Sequence, residues 1–397
     1  MIDLESPASI RRPAEYFDTV RGDGPVQWSD AHHAWLVIDH AEVAAAFRDA
    51  STLSADRVGP LERVADQRPE AFQRVVELLR GWMVFHDPPR HTELRHPVRS
   101  AFSPRRVDGL SGLVAGVVDD VVGRLPDRGE IEVRRDFAAP LPAQVIAAVL
   151  GVDGDDRHRF QAWSDDLATV VFATTPSSVP TDQAVRAAAT FAEFWQGHIA
   201  RERRDPSGTM LTALVDGAGD RLTPLELVGA CTLLLFAGHE TTTSLLSNAM
   251  GLFMERPELL AQLRAHPEAD AAAVEELLRV LGPTRTMFRK AVTDHERGGR
   301  PIRAGQTVGL AMCAANHDPA VFDRPGEVDL ARDPNPHLTF GWGLHHCLGA
   351  HLARLEARLA LRALLDRYDR IEPAGPVPPI TGTVLGYARE PVRVRVS

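Results

Sequence analysis

The sequence predicts a mainly α protein with a minor β portion, an α+β body. Three observations carry this. Apolar residues recur at three- and four-residue spacing through most of the chain, the period of an amphipathic helix. Apolar runs of strand character are few and short. No GxGxxG follows a strand and no Walker-type phosphate loop occurs, so a doubly wound nucleotide-binding sheet has no support.

In chain order, AEVAAAFRDA (41–50), EAFQRVVELLRGWM (70–83), HTELRHPVRSAF (91–102), GLVAGVVDDVVGRL (112–125) and DQAVRAAATFAEFWQGHIARERR (182–204) read as helices. Strand signals are AWLVID (34–39), EIEVR (130–134), GQTVGLAM (305–312) and PVRVRV (391–396). The longest helix runs from about Thr223 to Met254. Thr223 suits its N-cap, Pro224 its first position, and Glu226 closes a capping box. VEELLR ends as a helix before Pro283, and a strongly periodic helix fills roughly 348–366. The 29 Pro and 30 Gly are scattered, without repeat or linker, so residues 1–397 are expected to form one domain.

Composition sets the bounds. With 44% hydrophobic and 25% charged residues the chain is an ordinary globular one, not a disordered segment. At 397 residues it is long enough to bury a ligand in its own core. A net charge of −10 with no basic block excludes an electrostatic footprint for nucleic acid. The N-terminus lacks a secretory apolar core, and the apolar runs fall short of the ~20 residues of a membrane span. A soluble, cytoplasmic monomer is expected.

Three cysteines, Cys231, Cys313 and Cys347, are too few and odd in number for a disulfide framework. Cys347 stands out. It follows a loop with Gly341 and Gly343 and precedes a helix, where the helix dipole and backbone N–H groups favour a thiolate. Gly349 joins those two glycines in letting a flat group approach the backbone. Zinc would need further clustered ligands, and Cys231 and Cys313 lie alone in apolar segments. A single thiolate suits an axial position on haem iron.

The long helix is interrupted in its apolar middle by Gly238-His239-Glu240-Thr241-Thr242-Thr243. Ala237, Gly238 and Thr241 share a face and form a notch, and a threonine there can bond back and bend the helix. Glu276 and Arg279 are three apart on one helix, the spacing of a commonplace surface pair. His91 and Arg95 are four apart on one helical face.

Taken together, these stretches resemble the cytochrome P450 family. Phe340-Gly341-Trp342-Gly343-Leu344-His345-His346-Cys347-Leu348-Gly349 matches its haem loop, FxxGxHxCxG. AGHETT (237–242) matches its oxygen-activation motif, Glu276 and Arg279 its ExxR, and 87–102 its DPPxHTxLRxxVxxAF helix. The resemblance implies the P450 fold, with haem b (iron protoporphyrin IX) enclosed between the long helix and the cysteine loop. Cys347 becomes the axial metal ligand. Phe340, Gly341, Gly349, Ala237 and Gly238 become haem contacts, and His91, Arg95, Arg289 and His345 bind propionates. Arg90, Arg99 and His96 are left to solvent. Thr241 hydrogen-bonds dioxygen, and Glu240 relays protons. Glu276, Arg279 and, as third member, Arg324 form a buried network bracing the loop.

The same resemblance places the substrate among Phe85, Leu233, Phe236, Ala237, Met287, Val384 and Leu385, with a wall at roughly 165–185. Arg285, between Thr284 and Thr286 where the resemblance places side chains beside the substrate, either points to solvent or a propionate or meets an anionic group on the substrate. The implied activity is a monooxygenase inserting one oxygen atom of O2 into a small organic molecule, by hydroxylation foremost, in secondary metabolism. Oxidative coupling, desaturation, epoxidation and ring formation are the alternatives. Electrons are expected from a separate ferredoxin and ferredoxin reductase, docking at Arg99, Arg105, Arg106 and Arg354.

Overall fold

The computed structural model describes residues 2–59, 62, 70–152, 163 and 181–397. The expected pocket wall at 165–185 lies outside them except for its last few residues. The chain divides into two compact units. Met1–Ser54, Val114–Pro142 and Glu240–Ser397 form one, and Ala55–Leu113 with Ala143–His239 form the other. Both are built from separated stretches, so no single cut in the sequence parts them.

The first unit holds the strands. They are β1 (Val26–Ser29), β2 (Ala34–Val37), β3 (Leu53–Ser54), β4 (Gly129–Glu132), β5 (Thr286–Ala291) and β6 (His295–Arg297). After these come β7 (Arg300–Ile302), β8 (Thr307–Ala311), β9 (Ile371–Pro373), β10 (Ile380–Gly382), β11 (Tyr387–Arg389) and β12 (Arg393–Val396). Five form a sheet in the order β1-β2-β8-β5-β3, in which only β2 and β8 run parallel. The rest make a three-stranded sheet, β4-β12-β9, and the hairpins β6-β7 and β10-β11.

The continuous apolar run 34–38 follows from a strand covered on both faces. Val37, with partly buried Trp35, packs into a core with Val43, Phe47, Val308 and Leu310. Leu36 and Ile38 pack on the opposite face with Phe17, Leu4 and Ala314. EIEVR ends as a strand at Glu132, earlier than its alternation predicts. The Glu132 carboxylate accepts the N–H groups of Arg134 and Arg135 and turns the chain into a helical segment, Val133–Ala138.

The second unit is helical. Glu70–Arg80 packs on Thr181–Arg204, and Arg90–Ala101 on Met210–Ala218. The long helix, Pro224–Glu255, is α throughout, with no break at the polar run. Its start is the expected capping box. The Thr223 N–H donates to Glu226 Oε2 at 2.9 Å, and the Glu226 N–H to Thr223 Oγ1 at 3.3 Å. Among the described residues no helix is long and apolar enough to cross a membrane.

Candidate active site

The three cysteines separate by burial. Cys231 and Cys313 are buried, and burial pushes both thiols up from their ordinary value. Cys347 is exposed. Its loop closes on itself: the Cys347 N–H donates to the Phe340 carbonyl at 2.8 Å, and the Gly341 N–H to that of Leu338 at 2.8 Å. Gly341 and Gly343 take φ of +68° and +70°, backbone that favours glycine. Phe47, absent from the sequence-based site, underlies both. A Cβ on Gly343 would stand 3.0 Å from the Phe47 carbonyl oxygen, and one on Gly341 3.5 Å from its ring. At Gly349 no such atom lies within 4 Å. Trp342 and Leu344 are exposed beside the thiol, and His345 is half-buried.

Two ion networks hold this loop's surroundings. Arg279 donates to both Glu276 oxygens, at 2.7 and 2.8 Å, with both side chains fully buried. Its other bonds go to the carbonyls of Asn316, Pro325 and Glu327. The third member is Arg332, not the expected Arg324. Arg332 Nε lies 3.1 Å from Glu276, and Asn335 and the Asp329 N–H also donate to that carboxylate. Arg324 is exposed and pairs with Asp323 and Glu327. The reason is reach: Arg332 folds back under the helix end, while Arg324 sits at a turn with φ +46°. The neighbouring Glu275 was also missed. Arg354 grips it with two bonds, at 2.6 and 2.9 Å, and stacks 4.5 Å over the Phe340 ring. Arg354 is thereby committed to bracing the loop rather than standing free on a docking face. Burial works against the Glu275 charge, but hydrogen bonds from His337 and Arg354 outweigh it and hold the carboxyl at about 2.

Along the long helix, Leu227–Met254 is buried or half-buried except at Ala237 and Thr241, four residues apart and both exposed. The two lie one turn apart, within the stretch the sequence reads as a notch. Gly238 serves packing as well. Its absent Cβ would lie 3.2 Å from the Ile146 side chain. Glu240 is half-exposed and bonds Arg134 Nη2 at 2.9 Å, a partner that nothing in the spacing announces.

In the second unit His91 is buried and Arg95 half-buried on the same face of Arg90–Ala101. Arg90, expected in solvent, pairs with Glu93 and with Glu226 of the capping box. His96 and Arg99 are exposed as expected. Phe85, Leu233 and Phe236 are buried there. In the first unit Arg289 is nearly buried, its guanidinium 5.9 Å from the Phe47 ring centroid.

The first-unit pocket residues depart from expectation. Met287 packs against the sheet core, and Val384 against the core of Leu4 and Phe17. Leu385 is half-buried, and its carbonyl accepts the Arg285 N–H at 2.8 Å. The Arg285 guanidinium is fully buried, and its two terminal nitrogens donate to the carbonyls of Leu4, Thr383 and Ser9 at 2.5, 2.9 and 3.2 Å. Tyr387 covers it at 4.8 Å. It ties the N-terminal segment down instead of meeting a substrate anion. A buried guanidinium needs acceptors, and three carbonyls supply them.

The residues present fit a haem. The exposed Cys347 thiol lies on a loop in which Gly349 faces open space, while Gly341 and Gly343 let the loop close on Phe47. Among the described residues no group of three or more His, Cys, Asp or Glu could hold a metal ion. The family model for cytochrome P450 matches residues 79–269 and 271–396. The putative cytochrome P450 YjiB of Bacillus subtilis is 34% identical over 97% of this chain and 94% of its own length. Nocardicin C N-oxygenase of Nocardia uniformis is 38% identical over 91% and 89%. The crystal structure of the cytochrome P450 CYP109B1 from Bacillus subtilis matches with a TM-score of 0.82 at 33% identity, covering 97% of this chain and 100% of that one. By its cysteine loop, its helix motif and these likenesses, the chain belongs to the cytochrome P450 family, the haem-thiolate monooxygenases.

Proposed function

We propose that this cytochrome P450 hydroxylates a small organic molecule of secondary metabolism, in the cytoplasm, with electrons from a separate ferredoxin and its reductase. The observation that carries this is the single opening at Ala237 and Thr241 with Glu240 between them in sequence. Bound haem supplies the activation of dioxygen and the oxygen transfer. Cys347 would hold it through its thiolate, and His91, Arg95, Arg289 and His345 would pair with its propionates. Ala237, with no side chain beyond Cβ, would let a flat group approach the helix. Thr241, one turn further along the same helix, would take the role of hydrogen-bonding the reacting oxygen. Glu240 is half-exposed and would relay protons from water, and the bond to Arg134 holds its carboxylate in place. Arg99, Arg105 and Arg106 are exposed cations suited to an acidic ferredoxin.

The carbon monoxide difference spectrum of the reduced protein tests the haem-thiolate assignment. Thr241→Ala tests the relay. With that spectrum intact, product formed per oxygen consumed should fall at least about tenfold, on the scale of a lost general-acid group. Unchanged coupling would remove Thr241 from the role. A second reading is favoured by one likeness, a relative whose name denotes N-oxygenation. The product's mass separates oxygen insertion from desaturation or ring formation.

A further inference from the structure

A second kind of brace reaches the cysteine loop without any charge. Asn316 follows the short helix Met312–Ala315 and is buried, as are Leu338 and Thr339. Its carboxamide is engaged at both ends. Nδ2 donates to the Arg279 carbonyl at 3.2 Å and to Thr339 Oγ1 at 2.9 Å, and Oδ1 accepts the Leu338 N–H at 2.7 Å. The Thr339 hydroxyl passes the bond on to the Leu278 carbonyl at 2.7 Å. A backbone N–H can only donate and a backbone carbonyl can only accept, so the amide has one workable orientation. The Leu338 carbonyl in turn accepts the Gly341 N–H, and the Phe340 carbonyl the Cys347 N–H, each at 2.8 Å. One uncharged side chain thus joins the end of the helix Asp270–Leu281 to the first residues of the loop that carries the thiol, all within the first unit.

Asparagine is suited to this place because it donates and accepts over the same short reach. An aspartate would serve the Leu338 N–H but set an oxygen against the Arg279 carbonyl, and a leucine of similar size would serve neither. A buried amide is tolerated only when bonded, so the three bonds select one position for Leu338 and Thr339. We propose that Asn316 is a positioning residue: with Thr339 it fixes the entry of the loop and so sets where the Cys347 thiolate is presented to the haem. This rests on the reading of Cys347 as the axial ligand.

The test reads two signals from the holoenzyme. Amide hydrogen exchange needs no variant. The amides of Leu338, Gly341 and Cys347 should exchange slowly in the wild type, protected by the bonds above, and exchange as fast as in an open loop overturns the proposal. The carbon monoxide difference spectrum of the reduced protein then reports how much haem keeps its thiolate. Asn316→Ala and Thr339→Val should each raise the ratio of thiolate-lost to thiolate-bound haem about tenfold, the scale of one buried hydrogen bond, and speed exchange at Leu338. Thr339→Ser should keep the wild-type ratio. That contrast separates hydrogen bonding from packing. The Thr339 methyl lies 2.5 Å from where a Cβ on Gly282 would stand, so a packing role predicts damage from Thr339→Ser and none from Thr339→Val. The reversed order overturns the proposal, as does an unchanged ratio in Asn316→Ala. If Asn316→Ala takes up no haem, the Thr339 pair and the wild-type exchange still decide. Failure of the axial-ligand reading looks different: the wild type itself would show no thiolate band.

Discussion

At the scale of single residues, Glu276 is the most demanding group in the molecule. It is fully buried and charged, and it is tolerated because two arginines, an asparagine and a backbone N–H all donate to it. Removing one donor leaves a buried carboxylate under-compensated. Arg332→Ala should therefore lower unfolding free energy in urea by about 2 kcal/mol and reduce haem content, because Arg279 still compensates part of the charge. Arg324→Ala should leave both the urea unfolding curve and the haem content close to wild type, as removal of an exposed pair does. The sequence points to Glu276 and Arg279 because helix periodicity puts them side by side. It does not distinguish Arg324 from Arg332, since both lie in an aperiodic loop where only the fold decides which side chain turns inward. The same limit applies to Arg285. An arginine between two threonines reads equally as a substrate contact or a tie to backbone carbonyls, and the difference lies in where residues 4–9 pass.

At the scale of elements, the helices were legible and several strands, the six-residue β5 among them, were not. A helix announces itself over several turns, so the segments at 91–102 and 182–204 appear within a residue or two of their predicted ends. Strands β1 and β5 have four and six residues and partners far along the chain or a tight hairpin away, which local alternation does not reveal. Glycines inside the long helix are informative only with their neighbours in view. A Cβ on Gly229 would stand 2.7 Å from the Gly81 Cα, so this helix and the chain at Gly81 touch backbone to backbone. Alanine would raise helix propensity by about 1 kcal/mol, yet overpacking against unyielding backbone costs about 1–3 kcal/mol or more. Gly229→Ala should accordingly lower Tm in thermal unfolding of the holoenzyme. A rise would mean that the contact is looser than its geometry.

At the scale of the whole molecule, acid sensitivity is built in. His317 is fully buried and donates to the Cys313 carbonyl at 2.8 Å. Burial, assisted by the Arg279 charge, pushes its pKa down from 6.5 to about 3. In the unfolded chain it gains a proton below 6.5 and in the folded chain it does not, so stability is intact above 6.5 and drains away as pH falls toward 3. Between pH 7 and 5 the wild type should lose about 1–2 kcal/mol more than His317→Gln in urea unfolding, at up to about 1.4 kcal/mol per pH unit. Equal losses would remove His317 as the cause.

The interleaving of the two units has a consequence for biosynthesis. The stretch bearing Cys347 belongs to a unit whose three-stranded sheet joins β4, made after a third of the chain, to β12, made at its end. The thiol is therefore synthesised before β12, the strand that pairs with both β4 and β9, so the unit that carries Cys347 cannot complete this sheet until the ribosome has passed Val396.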